Sequence, residues 1–132
     1  MRIMLDTNIL ISIIFFPNEQ MNKLKEALCN KHSIVLCSYV IEELQSVVER
    51  KFKNKMVALD IFLESLSYEF VYTPKFFDVN NYPQMRDKKD IPVLVSAICE
   101  DVDVLLSGDV DFFSVEIDRP EILTPSEFMK KY

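Results

Sequence analysis

Arg2-Ile3-Met4-Leu5-Asp6-Thr7-Asn8 is a short run of large apolar residues that stops on an acid, a hydroxyl and an amide. Such a run fits a strand buried on both faces, and open α/β sheets take their ligands beyond the carboxyl ends of such strands. Asp6 is therefore a site candidate within the first ten residues. Three further segments have the same character: Ser33-Ile34-Val35-Leu36-Cys37, Glu69-Phe70-Val71-Tyr72 and Asp103-Val104-Leu105-Leu106-Ser107, with Glu121-Ile122-Leu123-Thr124 as a short last strand. The fourth runs into Gly108-Asp109-Val110-Asp111, so a second apolar strand ends in acids.

Helical patterns alternate with these strands. Ile9 to Phe16 reads as a helix capped by Thr7 or Asn8 and stopped by Pro17, and Glu19 to Asn30 carries Met21, Leu24, Ala27 and Leu28 at helical spacing. Ser38 is a candidate cap for a helix from Tyr39 to Lys53, whose stripe is Val40, Ile41, Leu44, Val47, Val48 and Phe52. Glu43 borders that stripe and Glu42 points to water. Met56 to Leu66 is a further amphipathic helix, and Lys75 to Arg86 is the least regular stretch. Val93 to Cys99 is apolar nearly all round, as in a helix buried against a sheet, and Pro92 in its first turn sets the start near Asp90. Ser126 is a candidate cap for a brief last helix. Alternation of this kind predicts an α/β fold with a mostly parallel sheet of about five strands and helices on both faces. A length of 132 residues suits one domain over 1–132.

Composition narrows the function. With 49% hydrophobic and 27% charged residues the chain is ordinary for a globular protein. The longest apolar run, Ile9 to Phe16, is too short to cross a bilayer, and nothing in the first residues reads as a signal peptide. Cys29, Cys37 and Cys99 are odd in number and in apolar surroundings, which predicts buried free thiols and a cytoplasmic location. One histidine, His32, argues against a zinc site and against a serine–histidine–acid triad. One glycine, Gly108, excludes a P-loop and a dinucleotide fingerprint. The net charge of −6 opposes nucleic-acid binding. Two divalent cations on the acids would change the balance to about −2.

Four acids stand out by position. Asp6 and Asp109 follow strands, Asp90 starts a helix, and Glu43 lies in the first turns of a helix that follows a strand, so all four begin near one rim of a parallel sheet. Oxygen-only ligands without nearby His or Cys favour magnesium or manganese. Each acid also has an ordinary structural use: Asp90 as a helix cap, Asp111 as a cap for the turn at Phe112, Asp6 or Asp109 as acceptors for loop backbone.

Together these residues resemble the PIN-domain nucleases. The resemblance is carried by Asp6-Thr7-Asn8 on a strand, Glu43-Leu44 on a helix, Asp90 followed by Leu94 and Ala97, and Ser107-Gly108-Asp109 ahead of Asp111-Phe112. It covers essentially the whole chain and is strongest to the small VapC-like toxins of prokaryotic toxin–antitoxin pairs. It implies a three-layer α/β/α sandwich and a metal-dependent endoribonuclease. Asp6, Glu43, Asp90 and Asp109 would hold one or two Mg2+ or Mn2+ ions. Asn8 and Ser107 would support the acids or a water, and Asp87 and Asp111 would be possible additional acids. Ser107 stands where the family more often has threonine, with the hydroxyl kept. An RNA path would use basic patches at Arg50, Lys51, Lys53 and Lys55 and at Arg86, Lys88 and Lys89. The resemblance further implies a homodimer and an antitoxin partner. A housekeeping PIN nuclease of RNA processing, or an inactive PIN domain that only binds RNA or protein, remains an alternative. An aspartyl phosphatase fits poorly, because Asn8 stands where that chemistry needs a second acid.

Overall fold

A computed structural model describes residues 1–132. Five strands, β1 (Arg2–Leu5), β2 (Ser33–Cys37), β3 (Tyr68–Val71), β4 (Val104–Leu106) and β5 (Glu121–Leu123), form one sheet. Its order is β3-β2-β1-β4-β5, and every neighbouring pair is parallel. Six helices connect and flank them: α1 (Thr7–Phe15), α2 (Glu19–Lys31), α3 (Ser38–Lys51), α4 (Met56–Ser65), α5 (Ile91–Cys99) and α6 (Pro125–Lys131).

The strand order explains the three layers. Crossovers between parallel strands are right-handed, so the steps β1 to β2 to β3 place their helices on one face and the steps leading to β4 and β5 use the other. Ile3, Met4 and Leu5 are successive residues whose side chains alternate in direction, yet all are at most 1% exposed, so both faces of β1 are covered. The surrounding cluster of 28 buried apolar residues takes Leu24 and Leu28 from α2, Val40, Leu44 and Val48 from α3, and Val93, Leu94 and Ala97 from α5.

The winding reverses between β1 and β4. Sheets of this kind bind ligands beyond the carboxyl ends of the strands beside such a switch point. Asp6 follows β1 directly, and its backbone N–H extends the ladder onto the Leu106 carbonyl at 3.0 Å.

Several sequence-based expectations need correction at element ends. Asp6, rather than Thr7 or Asn8, occupies the N-cap position of α1, with its side chain accepting from the Thr7 N–H at 2.8 Å. Ser38 is the first residue of α3, which has no side-chain cap; its hydroxyl instead accepts from the Thr73 N–H. α3 stops at Lys51, because Phe52 leaves helical geometry and a 3-10 turn, Lys53–Lys55, follows. Thr124, not Ser126, caps α6 in a full capping box with Glu127. That box satisfies two otherwise orphaned N–H groups, so Thr124→Ala is expected to cost about 1 kcal/mol and to lower the unfolding midpoint by roughly 4 °C, checked by a thermal melt.

Cys37 is buried as expected, but Cys29 and Cys99 are exposed; all three are free thiols. Cys29 follows Leu28 by one residue and so lies well off the buried stripe of α2, and Cys99 is the last residue of α5. No helix is long and apolar enough to cross a membrane.

Candidate metal centre

Two 3-10 turns bring acids to the rim. The segment before α5 makes a 3-10 turn, Lys88–Asp90, capped by Asp87, whose carboxylate accepts from the Lys89 N–H at 3.0 Å. After β4 the chain makes a second 3-10 turn, Val110–Ser114, capped by Asp109, which accepts from the Asp111 N–H at 2.9 Å. Phe112 in this turn is fully buried and pins it to the core. One carboxylate oxygen from each of Asp87, Asp90, Asp109 and Asp111 lies within 4.8 Å of the others.

The ordinary uses of these acids divide unevenly. Asp6, Asp87 and Asp109 do accept backbone N–H groups, and Asp109 takes the capping part foreseen for Asp111. Asp90 stands at the N-cap position of α5 but makes no capping hydrogen bond, and its Oδ2 is buried with no partner. An ionised carboxylate can only accept, and the groups crowding Asp90 are also carboxylates, so that oxygen needs a proton or a cation. Burial first, then Asp109 close enough to share a proton, then the charges of Asp109, Asp6 and Asp87, push the Asp90 carboxyl up to about 8.

Asp6 sits beside this group, 4% exposed. Burial pushes its carboxyl above the usual range, hydrogen bonds from Ser107 and the Thr7 N–H oppose that, and the charges of Glu43 and Asp109 add to it. The Ser107 hydroxyl, itself buried, donates to Asp6 Oδ2 at 2.8 Å and accepts from the Asp109 N–H at 3.0 Å. One hydroxyl thus fixes the acid after β1 against the acid after β4. Glu43 is half-buried on the first turns of α3, and the buried Thr7 hydroxyl donates to its Oε1. Thr7 carries no sign of this in the sequence, because its partner is 36 residues away. Asn8 is exposed and makes no side-chain hydrogen bond.

The basic residues separate. Arg86, Lys88 and Lys89 are exposed beside the acids, with Arg86 Nη1 3.8 Å from Asp111 Oδ1. Arg50, Lys51, Lys53 and Lys55 are exposed at the opposite end of α3, roughly 10 Å or more along its axis from Glu43.

A profile of the PIN domain matches residues 2–111. The chain belongs to the PIN-domain family. Among solved structures, this PIN domain is similar to VapBC2 from Rickettsia felis, determined bound to a DNA fragment from its promoter, with a TM-score of 0.73 at 23% identity, covering 94% of this chain and 98% of that one. It is also similar to Mycobacterium tuberculosis VapC20, a toxin that cleaves the sarcin–ricin loop, with a TM-score of 0.57 at 13% identity, covering 89% and 99%. At these identities the likeness is one of fold. No curated protein matches the sequence.

The four-aspartate cluster of this PIN domain suits a hard divalent cation: all donors are carboxylate oxygens, one of them buried and unpartnered. The cost of leaving these charges together is readable as a pH dependence. Asp90 holds its proton more tightly folded than unfolded, so its contribution to stability is present below about pH 4 and is lost as pH rises toward 8. Asp6 shifts in the same direction. In metal-free buffer Asp90→Asn is therefore expected to raise the melting temperature at pH 8 and to leave it nearly unchanged at pH 4, and added Mg2+ is expected to stabilise the parent chain but not the variant. Differential scanning calorimetry with and without Mg2+ checks both; a lower melting temperature for the variant at pH 8 contradicts them.

Proposed function

We propose that this PIN domain is a magnesium- or manganese-dependent endoribonuclease and the toxin of a type II toxin–antitoxin pair. The observation that carries the reading is the unpartnered Asp90 oxygen, buried among carboxylates at the switch point of a PIN-family sheet.

In this reading Asp6, Glu43, Asp90 and Asp109 would hold one or two ions, and Asp87 and Asp111, grouped with Asp90 and Asp109, would be additional ligands. The chemistry such ions supply is charge neutralisation on a phosphodiester and activation of water at neutral pH. The chain's own residues set the geometry. Ser107 keeps Asp6 and the Asp109 turn in fixed relation, and Thr7 holds Glu43 by one oxygen, leaving the other for a ligand or a proton. Ser107 is fully buried and engaged by Asp6 and the Asp109 N–H, so this reading takes the attacking oxygen from water. Asn8, exposed on the first turn of α1 and without a side-chain hydrogen bond, would in this reading contact substrate rather than brace the acids. Arg86, Lys88 and Lys89 flank the cluster and can meet backbone phosphates; Arg50 to Lys55 can serve only a longer RNA.

The protein partners implied by the toxin reading are an antitoxin and a second copy of the chain. Exposed apolar side chains at Phe16, Val57 and Ile61 offer area for such contacts. VapBC2 is a complex of this type, with its own promoter DNA.

The test is cleavage of a panel of single-stranded and structured RNAs by the purified chain in Mg2+, in Mn2+ and in chelator. Cutting is expected with either ion and none in chelator. Cutting that survives chelation, or a panel left intact although the chain binds the ions, overturns the reading.

A further inference from the structure

Beyond the carboxyl ends of β2 and β3 lies a cleft of about 540 Å³, beside the acids but separate from them. Its walls include Tyr39 and Ile41 at the start of α3, and Phe70, Tyr72 and Lys75 on and after β3. β3 is an edge strand, and side-chain alternation sends Val71 into the core while Phe70 and Tyr72 emerge opposite. The two rings meet edge to face, centroids 4.9 Å apart at 87°, and Tyr72 is 79% exposed, so most of its side chain is open to solvent. Glu42 also lines the cleft and Lys75 offsets its charge, so this is no general trap for anions.

Tyr39 joins the cleft to the acids. It lines the cleft from the first turn of α3, and Glu43 follows four residues on, on the same side of that helix. Thr73 makes the junction rigid. Its hydroxyl accepts from the Tyr39 N–H at 3.2 Å and hydrogen-bonds the Ser96 hydroxyl at 2.8 Å, and its N–H donates to the Ser38 hydroxyl at 2.9 Å. Ser96 belongs to α5, the helix that Asp90 begins. An exposed aromatic pair, a lysine and a path to the acids along α3 are what unpaired nucleotides next to a cleaved phosphate require.

We propose that this cleft is a single-stranded RNA subsite, in which a base neighbouring the scissile phosphate stacks on Tyr72, supported by Phe70, while Lys75 meets a backbone phosphate. The proposal rests on the ribonuclease reading above. A duplex cannot use the site, because its bases already stack on one another.

The experiment measures anisotropy of a fluorescein-labelled single-stranded RNA with Asp6→Asn protein, which prevents cutting, alone and combined with Tyr72→Ala or Tyr72→Phe. The same RNA annealed into a duplex is run beside it, and the wild type is assayed for cleavage. Tyr72→Ala is expected to weaken single-strand binding about 5- to 150-fold. Tyr72→Phe keeps it, and duplex affinity does not respond. Single-strand affinity within twofold in Tyr72→Ala, with wild-type cleavage intact, overturns the subsite and leaves the ribonuclease standing. Wild-type protein that neither cleaves nor binds RNA removes the ribonuclease reading and this proposal with it. A sedimentation coefficient that changes in Tyr72→Ala while RNA affinity does not assigns the cleft to contact between copies and also overturns the proposal.

Discussion

Asp6→Asn is expected to lower RNA cleavage by roughly 10³-fold or more while leaving the fold intact. Asp6 is the acid fixed most tightly, held by the Thr7 N–H at 2.8 Å and the Ser107 hydroxyl at 2.8 Å. Asparagine keeps the shape and one acceptor oxygen for the Thr7 N–H, and the Ser107 hydroxyl can turn to accept from the new amide. What disappears is the negative charge that a cation needs. Because burial and neighbouring acids already penalise that charge, the melting temperature of the metal-free variant should equal or exceed that of the parent at neutral pH. Single-turnover cleavage and a thermal melt on one preparation check this. Retained activity contradicts Asp6 as a metal-holding acid, and a collapse in melting temperature contradicts the account of its environment.

Phe112→Ala carries the largest expected stability cost. The ring is fully buried in the main core, and its removal leaves a cavity under the turn Val110–Ser114, so a loss of about 3–5 kcal/mol is expected. That is a large fraction of the roughly 5–15 kcal/mol stability of an ordinary domain. The turn also carries Asp111 and is capped by Asp109. Loosening it moves two acids of the cluster, so weaker Mg2+ stabilisation should accompany the shifted urea midpoint. A loss below about 1 kcal/mol contradicts Phe112 as the anchor of this turn.

Most of the fold was legible because burial on both faces writes itself into β1, β2 and β4 as continuous apolar runs, and because β1 and β2 are each followed by a helical period. Asp6 and Asp109 were legible as strand-end acids for the same reason. Their meeting at the switch point follows from the parallel order, which places β4 beside β1. The closest grouping was harder to foresee. Asp87 and Asp111, read only as possible additional acids, pack with Asp90 and Asp109, because two 3-10 turns set their directions and turn geometry has no periodic signature. Thr7 on Glu43, and Thr73 between Ser38, Tyr39 and Ser96, are long-range contacts whose pairing has no local sequence signature. The caps of α1 and α6 shifted by one or two residues because several polar residues at each end compete for one role.

The central claim is that the rim acids form a divalent-cation centre, and manganese binding reads it without knowledge of any substrate. Titrating Mn2+ into the metal-free chain at pH 7.5, with free ion followed by electron paramagnetic resonance, should show saturable binding of one or two ions. Asp90→Asn and Asp109→Asn should each lose at least one of them. Binding that fails to saturate, or that is the same in the parent chain and both variants, contradicts the account.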